Sequence, residues 1–156
     1  MPRYWLMKSE PEAFSIDDLA RAKNGTTRWD GVRNYQARNF LRDDISLGDG
    51  VLFYHSSVEP PAVVGTARVA RAGYPDPTQF DPKDSHRDPD SPRDAPRWFA
   101  VDIVFEEKFA RPITLAELRA DAALGEMVLL RRGSRLSVQP VTALEWKRIV
   151  KLGARK

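Results

Sequence analysis

Cysteine is absent from this chain. That removes disulfides, thiolate zinc sites and a cysteine nucleophile together, and it fits a reducing, cytosolic setting. Histidine is nearly as scarce. His55 and His86 are the only two, and their positions lack metal-ligand spacing. No nucleophile elbow, metal motif or phosphate-binding loop occurs, so no catalytic metal and no cofactor is expected. Long apolar runs are missing as well. Met1-Pro2-Arg3-Tyr4 lacks the apolar stretch of a signal peptide, and no segment approaches the roughly eighteen apolar residues of a membrane span. The expectation is a soluble intracellular protein without a membrane partner, cytoplasmic, or nuclear in a eukaryote.

With 156 residues, the chain is expected to form one domain, residues 1–156, and a monomer. It can bury about two-thirds of its unfolded surface without a covalent staple. The net charge is only +3, but it is unevenly spread. From Lys108 to Lys156 eleven Lys or Arg stand against four Asp or Glu, whereas Asp76 to Asp94 holds six Asp against three Lys or Arg. A basic C-terminal third can attract a phosphate backbone through counterion release, and it can equally be a solvated helix face.

Periodicity and caps outline an α+β fold: a curved or barrel-like sheet surrounded by short helices. Arg3 to Lys8 reads as a strand. Ser15-Ile16-Asp17-Asp18, Thr114-Leu115-Ala116-Glu117 and Thr142-Ala143-Leu144-Glu145 are capping-box patterns that open helices. Asn34 is a plausible N-cap for a helix through about Arg42 that buries Phe40 and Leu41. Val51–Tyr54 and Ala62–Val69 read as strands on either side of Pro60-Pro61, and Trp98–Phe109 as another with Val101, Ile103 and Phe105 on one face. Gly133–Pro140 suggests a short strand with Leu136 and Val138 inward. Gly73 breaks the pattern. The proline- and aspartate-rich stretch from there to Pro96 argues against regular structure, and loops of that length are usually functional or disordered.

Two features point to a site. The apolar run Tyr4-Trp5-Leu6-Met7 delivers Lys8-Ser9-Glu10 at its end, closed by Pro11. About twenty residues on, Trp29 stands in a turn-rich context, Asp30-Gly31-Val32-Arg33-Asn34. An aromatic wall beside clustered polar groups suits a nucleobase, which needs a face to stack on and partners around its edge. Trp29 offers the stacking surface, though it could plug the core. Lys8, Ser9 and Glu10 could contact a base edge and a phosphate, or could be an ordinary strand end. Asn34 carries a donor and an acceptor, yet its use as a helix cap competes for the same oxygen. Tyr54, His55 and Ser56 end a strand and could border the pocket. Trp5 and Trp146 read as core, whereas Trp98 is open between strand packing and a second aromatic wall. Arg135 and Ser137 would face away from Leu136 and Val138, either into the pocket or onto a wet sheet face.

Five ordered segments carry a resemblance: Tyr4–Pro11, Trp29–Asn39, Phe53–Ser56, Tyr74–Phe80 and Gly133–Pro140. Together they resemble the EVE domain family over nearly the whole chain. The resemblance implies a PUA-like fold, related to the YTH domains that read methylated adenine in RNA. It also implies a binding module that takes a modified base of DNA or RNA, flipped out of its stack, into a pocket built from the motifs above. It favours a pocket role for Lys8, Ser9 and Glu10. Two alternatives stay open. Lys8 and Glu10 lie two apart on a strand, and such a pair resembles the related ASCH proteins, some of which are similar to amidohydrolases acting on modified nucleosides. A general RNA-binding accessory domain is the other.

Overall fold

In a computed structural model describing residues 2–133 and 135–154, the chain builds one sheet from six strands: β1 (Tyr4–Ser9), β2 (Thr26–Trp29), β3 (Gly50–His55), β4 (Ala62–Pro75), β5 (Phe99–Thr114) and β6 (Val138–Val141). The strand order is β2-β5-β4-β3-β1-β6. The β1–β3 pair is parallel, with Trp5 opposite Val51 and Met7 opposite Phe53, and every other pair is antiparallel. The sheet is curved and unclosed, as in a PUA-like α+β fold. Four short helices accompany it: α1 (Ile16–Arg21), α2 (Tyr35–Asn39), α3 (Leu115–Ala120) and α4 (Ala143–Gly153).

Both faces of the central strands are covered, which explains why β1 and β3 read as continuous apolar runs rather than alternating ones. Side chains alternate across a strand. Trp5, Met7, Val51 and Phe53 therefore join one cluster, with Ile16, Leu19, Leu41, Val101 and Ile103. Leu6, Leu52 and Tyr54 join another, with Phe109, Ile113, Leu118, Trp146 and Ile149. Full burial of a side chain of this size contributes ~1.5–3 kcal/mol, so the two clusters dominate the stability.

The three capping boxes form as the sequence predicts. The hydroxyls of Ser15, Thr114 and Thr142 accept from the third residue of α1, α3 and α4, and the acidic side chain there accepts the cap N–H in return. Other boundaries differ, each for a physical reason. Trp29 is the last residue of a strand rather than part of a turn, because Thr26–Trp29 pairs with Val101–Val104 of β5. The helix after Asn34 lasts five residues and loosens into a π-helical turn, Phe40–Asp44. Gly73 does not end β4. A Cβ there would lie 2.3 Å from the Leu41 carbonyl oxygen, so glycine lets the strand pass against the backbone of that turn. The last strand starts at Val138, with Leu136 before it, partly buried against the first cluster. Ser134, within the Gly133–Pro140 motif, lies outside the described residues.

The acidic, proline-rich segment is held by polar contacts. After a short 3-10 turn, Pro77–Phe80, its aspartates act as local acceptors: Asp81 for the Lys83 N–H, Asp84 for His86 and Asp88 for Asp90. Gln79, 1 % exposed, donates to the carbonyls of Asp76 and Trp98 and accepts from Ser91 and the Trp98 N–H. The charge bias of this stretch is thus turn chemistry.

Candidate functional site

A cleft of about 740 Å³ opens where the end of β1, the end of β2 and the acidic segment converge. Its lining includes Lys8, Ser9 and Glu10 from β1 and the residue after it, and Trp29 through Asn34 from β2 and the following turn. Ser137, just before β6, completes it from the other side. Nine of the residues singled out in the sequence therefore meet in one place. Register explains part of this: β1 is clamped between β3 and the chain before β6, where the Lys8 N–H donates to the Ser137 carbonyl.

Trp29 is half-buried, packs against the first cluster and meets Phe53 edge-on, with ring centroids 5.6 Å apart and planes at 86°. The Ser9 hydroxyl donates to the Phe14 carbonyl at 2.5 Å. Burial lowers the Lys8 ammonium pKa below the ordinary lysine value. The Glu10 carboxylate takes a long bond of 3.4 Å from the Ser57 hydroxyl. Asn34 caps α2: its Oδ1 accepts the Ala37 N–H at 3.0 Å. Arg28 donates to Asp30 at 2.7 Å, and that bond holds the guanidinium more firmly charged.

The turn after Trp29 is fixed by a buried carboxylate. Asp76 accepts from the Gly31 N–H, the Thr78 N–H and hydroxyl, and Arg33. Burial by itself would raise its pKa, but these donors outweigh it and hold the carboxyl below the usual range. Arg33 spans the gap to the acidic segment, donating from Nε and Nη2 to the His86 carbonyl at 3.1 and 2.6 Å. Gly31 adopts φ +74°, and a Cβ on it would lie 2.9 Å from the His86 ring. The His86 ring thus folds over the turn and forms the rim of the cleft.

Six residues named from the sequence are placed elsewhere. Tyr54 is 4 % exposed and belongs to the second cluster, on the opposite face of the sheet. His55 packs its ring on Phe53 and accepts the Ile16 N–H through Nε2 at 3.1 Å, fixing the start of α1. Ser56 follows it, its N–H donating to the Ser9 carbonyl. Trp98 does not line the cleft. At 5 % exposure it packs against Tyr35 with the rings tilted by 30°, lies 5.2 Å from the Arg33 guanidinium and donates from Nε1 to Asp88, so it anchors the acidic segment. Arg135 and Leu136 precede Ser137 without lining the cleft.

Sequence reasoning also missed lining residues. Phe14 is a second aromatic of the cleft and packs on the first cluster. Its available signal was its place just before the Ser15 cap, where an apolar residue commonly staples the helix start. Arg33 and His86 carried no local signal. Among the described residues, no group of three or more His, Asp or Glu could hold a metal ion.

An aromatic wall, an adjacent ammonium and carboxylates at the margin can stack a flat ligand and read its edge. The EVE domain family model matches residues 3–152. The chain belongs to the EVE domain family. Human thymocyte nuclear protein 1 is 43 % identical over 166 residues, covering 96 % of this EVE domain protein and 73 % of the relative. A crystal structure of that human protein in complex with DNA containing 5-methylcytosine has a TM-score of 0.92 at 42 % identity, covering 99 % of each chain. A Pseudomonas putida protein of known structure is 51 % identical, with a TM-score of 0.91 over 96 % of this chain and 99 % of its own. An ASCH protein from Zymomonas mobilis, 14 % identical with a TM-score of 0.55, covers 96 % of this chain and 98 % of its own and shares the fold alone.

Proposed function

We propose that this EVE domain binds nucleic acid carrying a modified base, taking the base out of its stack and laying it against Trp29 in the cleft. The observation that carries the reading is a half-buried tryptophan and the Lys8 side chain lining one cleft of about 740 Å³. That volume lies within the range of small-molecule sites, ~300–1,000 Å³. The human relative's structure with 5-methylcytosine DNA supports the same ligand class. Lys8, Ser9 and Glu10 lie under the base edge. The Asp30–Asn34 turn, held by Asp76, shapes one side, and Ser137 faces it across β1. The exposed arginines Arg131, Arg132 and Arg135 meet the phosphate backbone. No helix among the described residues is long and apolar enough to cross a membrane.

The test is a titration of matched oligonucleotides, DNA and RNA, with and without a 5-methylcytosine. The wild-type protein should prefer the modified strand. Trp29→Ala should weaken binding roughly tenfold, as expected for a stacking contribution of ~1–3 kcal/mol per base. A 2-aminopurine beside the modified base should brighten on binding if that base leaves the stack. Equal binding of modified and plain strands, unaffected by Trp29→Ala, overturns the proposal.

A further inference from the structure

The Trp29–Asn39 segment runs on past the cleft, and its next side chains build a second surface. Tyr35 directly follows Asn34, which lines the cleft, so their Cα atoms are about 3.8 Å apart. At 53 % exposure Tyr35 is the one exposed aromatic among the described residues. Its ring is nevertheless held. It lies against Trp98 with centroids 4.8 Å apart and planes tilted by 30°, and Trp98 is itself buried and tied to Asp88 through Nε1. Packing has thus already removed part of the side-chain freedom that a ligand would otherwise have to freeze. The Tyr35 hydroxyl has no hydrogen-bond partner among the described residues, so no polar contact of its own accounts for the ring's position.

A cation completes this surface. Arg38, three residues on in α2, is half-buried with its guanidinium 5.0 Å from the centre of the Tyr35 ring. It donates to the Arg97 carbonyl and to the Asn39 side-chain oxygen, neither of them charged. Arg33, Arg42 and Arg97 each have an aspartate within ion-pair distance, whereas Arg38 has no carboxylate partner among the described residues. Burial, and then the neighbouring Arg42 charge, lower its pKa below the ordinary arginine value. A guanidinium partly stripped of water and left without a counter-ion is stabilised by an anion that reaches it. Aromatic and guanidinium planes that take bases, beside cations that follow the backbone, are how single strands are held. We infer that Tyr35 and Arg38 form a second nucleotide subsite: with one base in the cleft, the next base of the same strand stacks at Tyr35 and its phosphate pairs with Arg38. The inference rests on the base-binding reading above and extends it from one nucleotide to two. Every base has a face to stack, so the subsite adds affinity without selecting a sequence.

The test uses a single-stranded DNA with one central 5-methylcytosine, and the same strand made abasic at the centre, at the 5′ neighbour or at the 3′ neighbour, each keeping the backbone charge. Wild-type protein should lose about fivefold or more in affinity when one of the two neighbouring bases is removed, the low end of what a stacked base contributes. Tyr35→Leu keeps apolar cover on Trp98. It should bind the intact strand more weakly by the same factor and become indifferent to that neighbour, while still losing affinity when the central base is removed. Tyr35→Phe should match the wild type, and Arg38→Gln should flatten the salt dependence by about one unit of log–log slope. Independently of any variant, 5-iodouracil at the same neighbour should crosslink to Tyr35 of the wild-type protein on irradiation. The inference is overturned if neither neighbouring base contributes, if a neighbour's contribution survives in Tyr35→Leu, if the salt slope is unchanged in Arg38→Gln, or if crosslinks fall only on other residues. A central base whose removal costs nothing is a different failure, that of the base-binding reading itself, and it removes the subsite with it.

Discussion

Trp146 and Trp29 pack on opposite faces of the same sheet, and their surroundings differ in kind. Trp146 is 7 % exposed, stacked on Tyr4 at 4.6 Å, with the Arg68 guanidinium 5.5 Å from its ring. A helix carries it, and apolar neighbours fill the space around it. Trp29 is half-buried at a strand end, packs on the first cluster with Phe53 edge-on, and also lines the cleft. Both rings pack on an apolar cluster, but the turn that follows Trp29 is held by a buried carboxylate and an arginine. A closed apolar face maximises stability, whereas a cleft wall fixed by directional polar bonds can keep a cavity open, because those bonds fix backbone position without filling volume.

Substitution separates the two faces most sharply. Trp146→Ala should cost ~3–5 kcal/mol by chemical denaturation, the range for large-to-small changes at a buried aromatic, with ligand affinity of the folded protein unchanged. Trp29→Ala should cost clearly less stability while removing roughly tenfold in affinity. Equal stability losses would make Trp29 a core residue and dissolve the comparison. Asp76→Asn tests the polar side. It leaves one carbonyl oxygen to serve donors from Gly31, Thr78 and Arg33, so ~1.5–3 kcal/mol should be lost, and affinity should fall as the turn loses its brace. Retained affinity at lowered stability would show that the turn keeps its shape without Asp76.

Charge reversal at Arg131 and Arg132 is a smaller effect. Each lost phosphate contact should flatten the salt dependence by about one unit of log–log slope, lowering affinity for modified and plain strands alike. Unchanged slopes would make these arginines a solvated surface. The smallest effect is the pH dependence set by His55. Burial lowers its pKa below 6.5, and the Ile16 N–H bonded to Nε2 favours the neutral ring. A depressed histidine pKa gives stability that is fully present above pH 6.5 and lost as pH falls through the lowered folded value. The melting temperature should therefore decline between pH 7 and 5 more steeply in the wild-type protein than in His55→Gln. Parallel curves would remove His55 from the linkage.

Some of this was legible beforehand. Capping boxes at Ser15, Thr114 and Thr142 depend on a residue and its third neighbour, and β1 and β3 announce themselves by unbroken apolar runs; all of these are local. That Lys8-Ser9-Glu10 and Trp29 line one cleft was partly legible, because the first follows an apolar run and turn residues follow the second. Trp98 stayed open, since an indole before a strand looks alike in sequence whether its partner is a ligand or Asp88. Tyr54 misled through parity: position in the strand decides which face receives it, and strand pairing puts it with the second cluster.

Composition and local pattern by themselves determined the apolar strands, the capping boxes, the absence of thiol chemistry and the segments that carry the EVE resemblance, because those depend on neighbours a few residues apart. Only the tertiary structure decided where the cleft lies and what is free to act in it. Arg33 meets His86 across a separation of 53 residues and Gly31 meets Asp76 across 45. The Asn34 oxygen becomes unavailable only once α2 forms beneath it. Which donors remain for a ligand is the remainder after every such long-range bond is made, so it exists only in the folded chain.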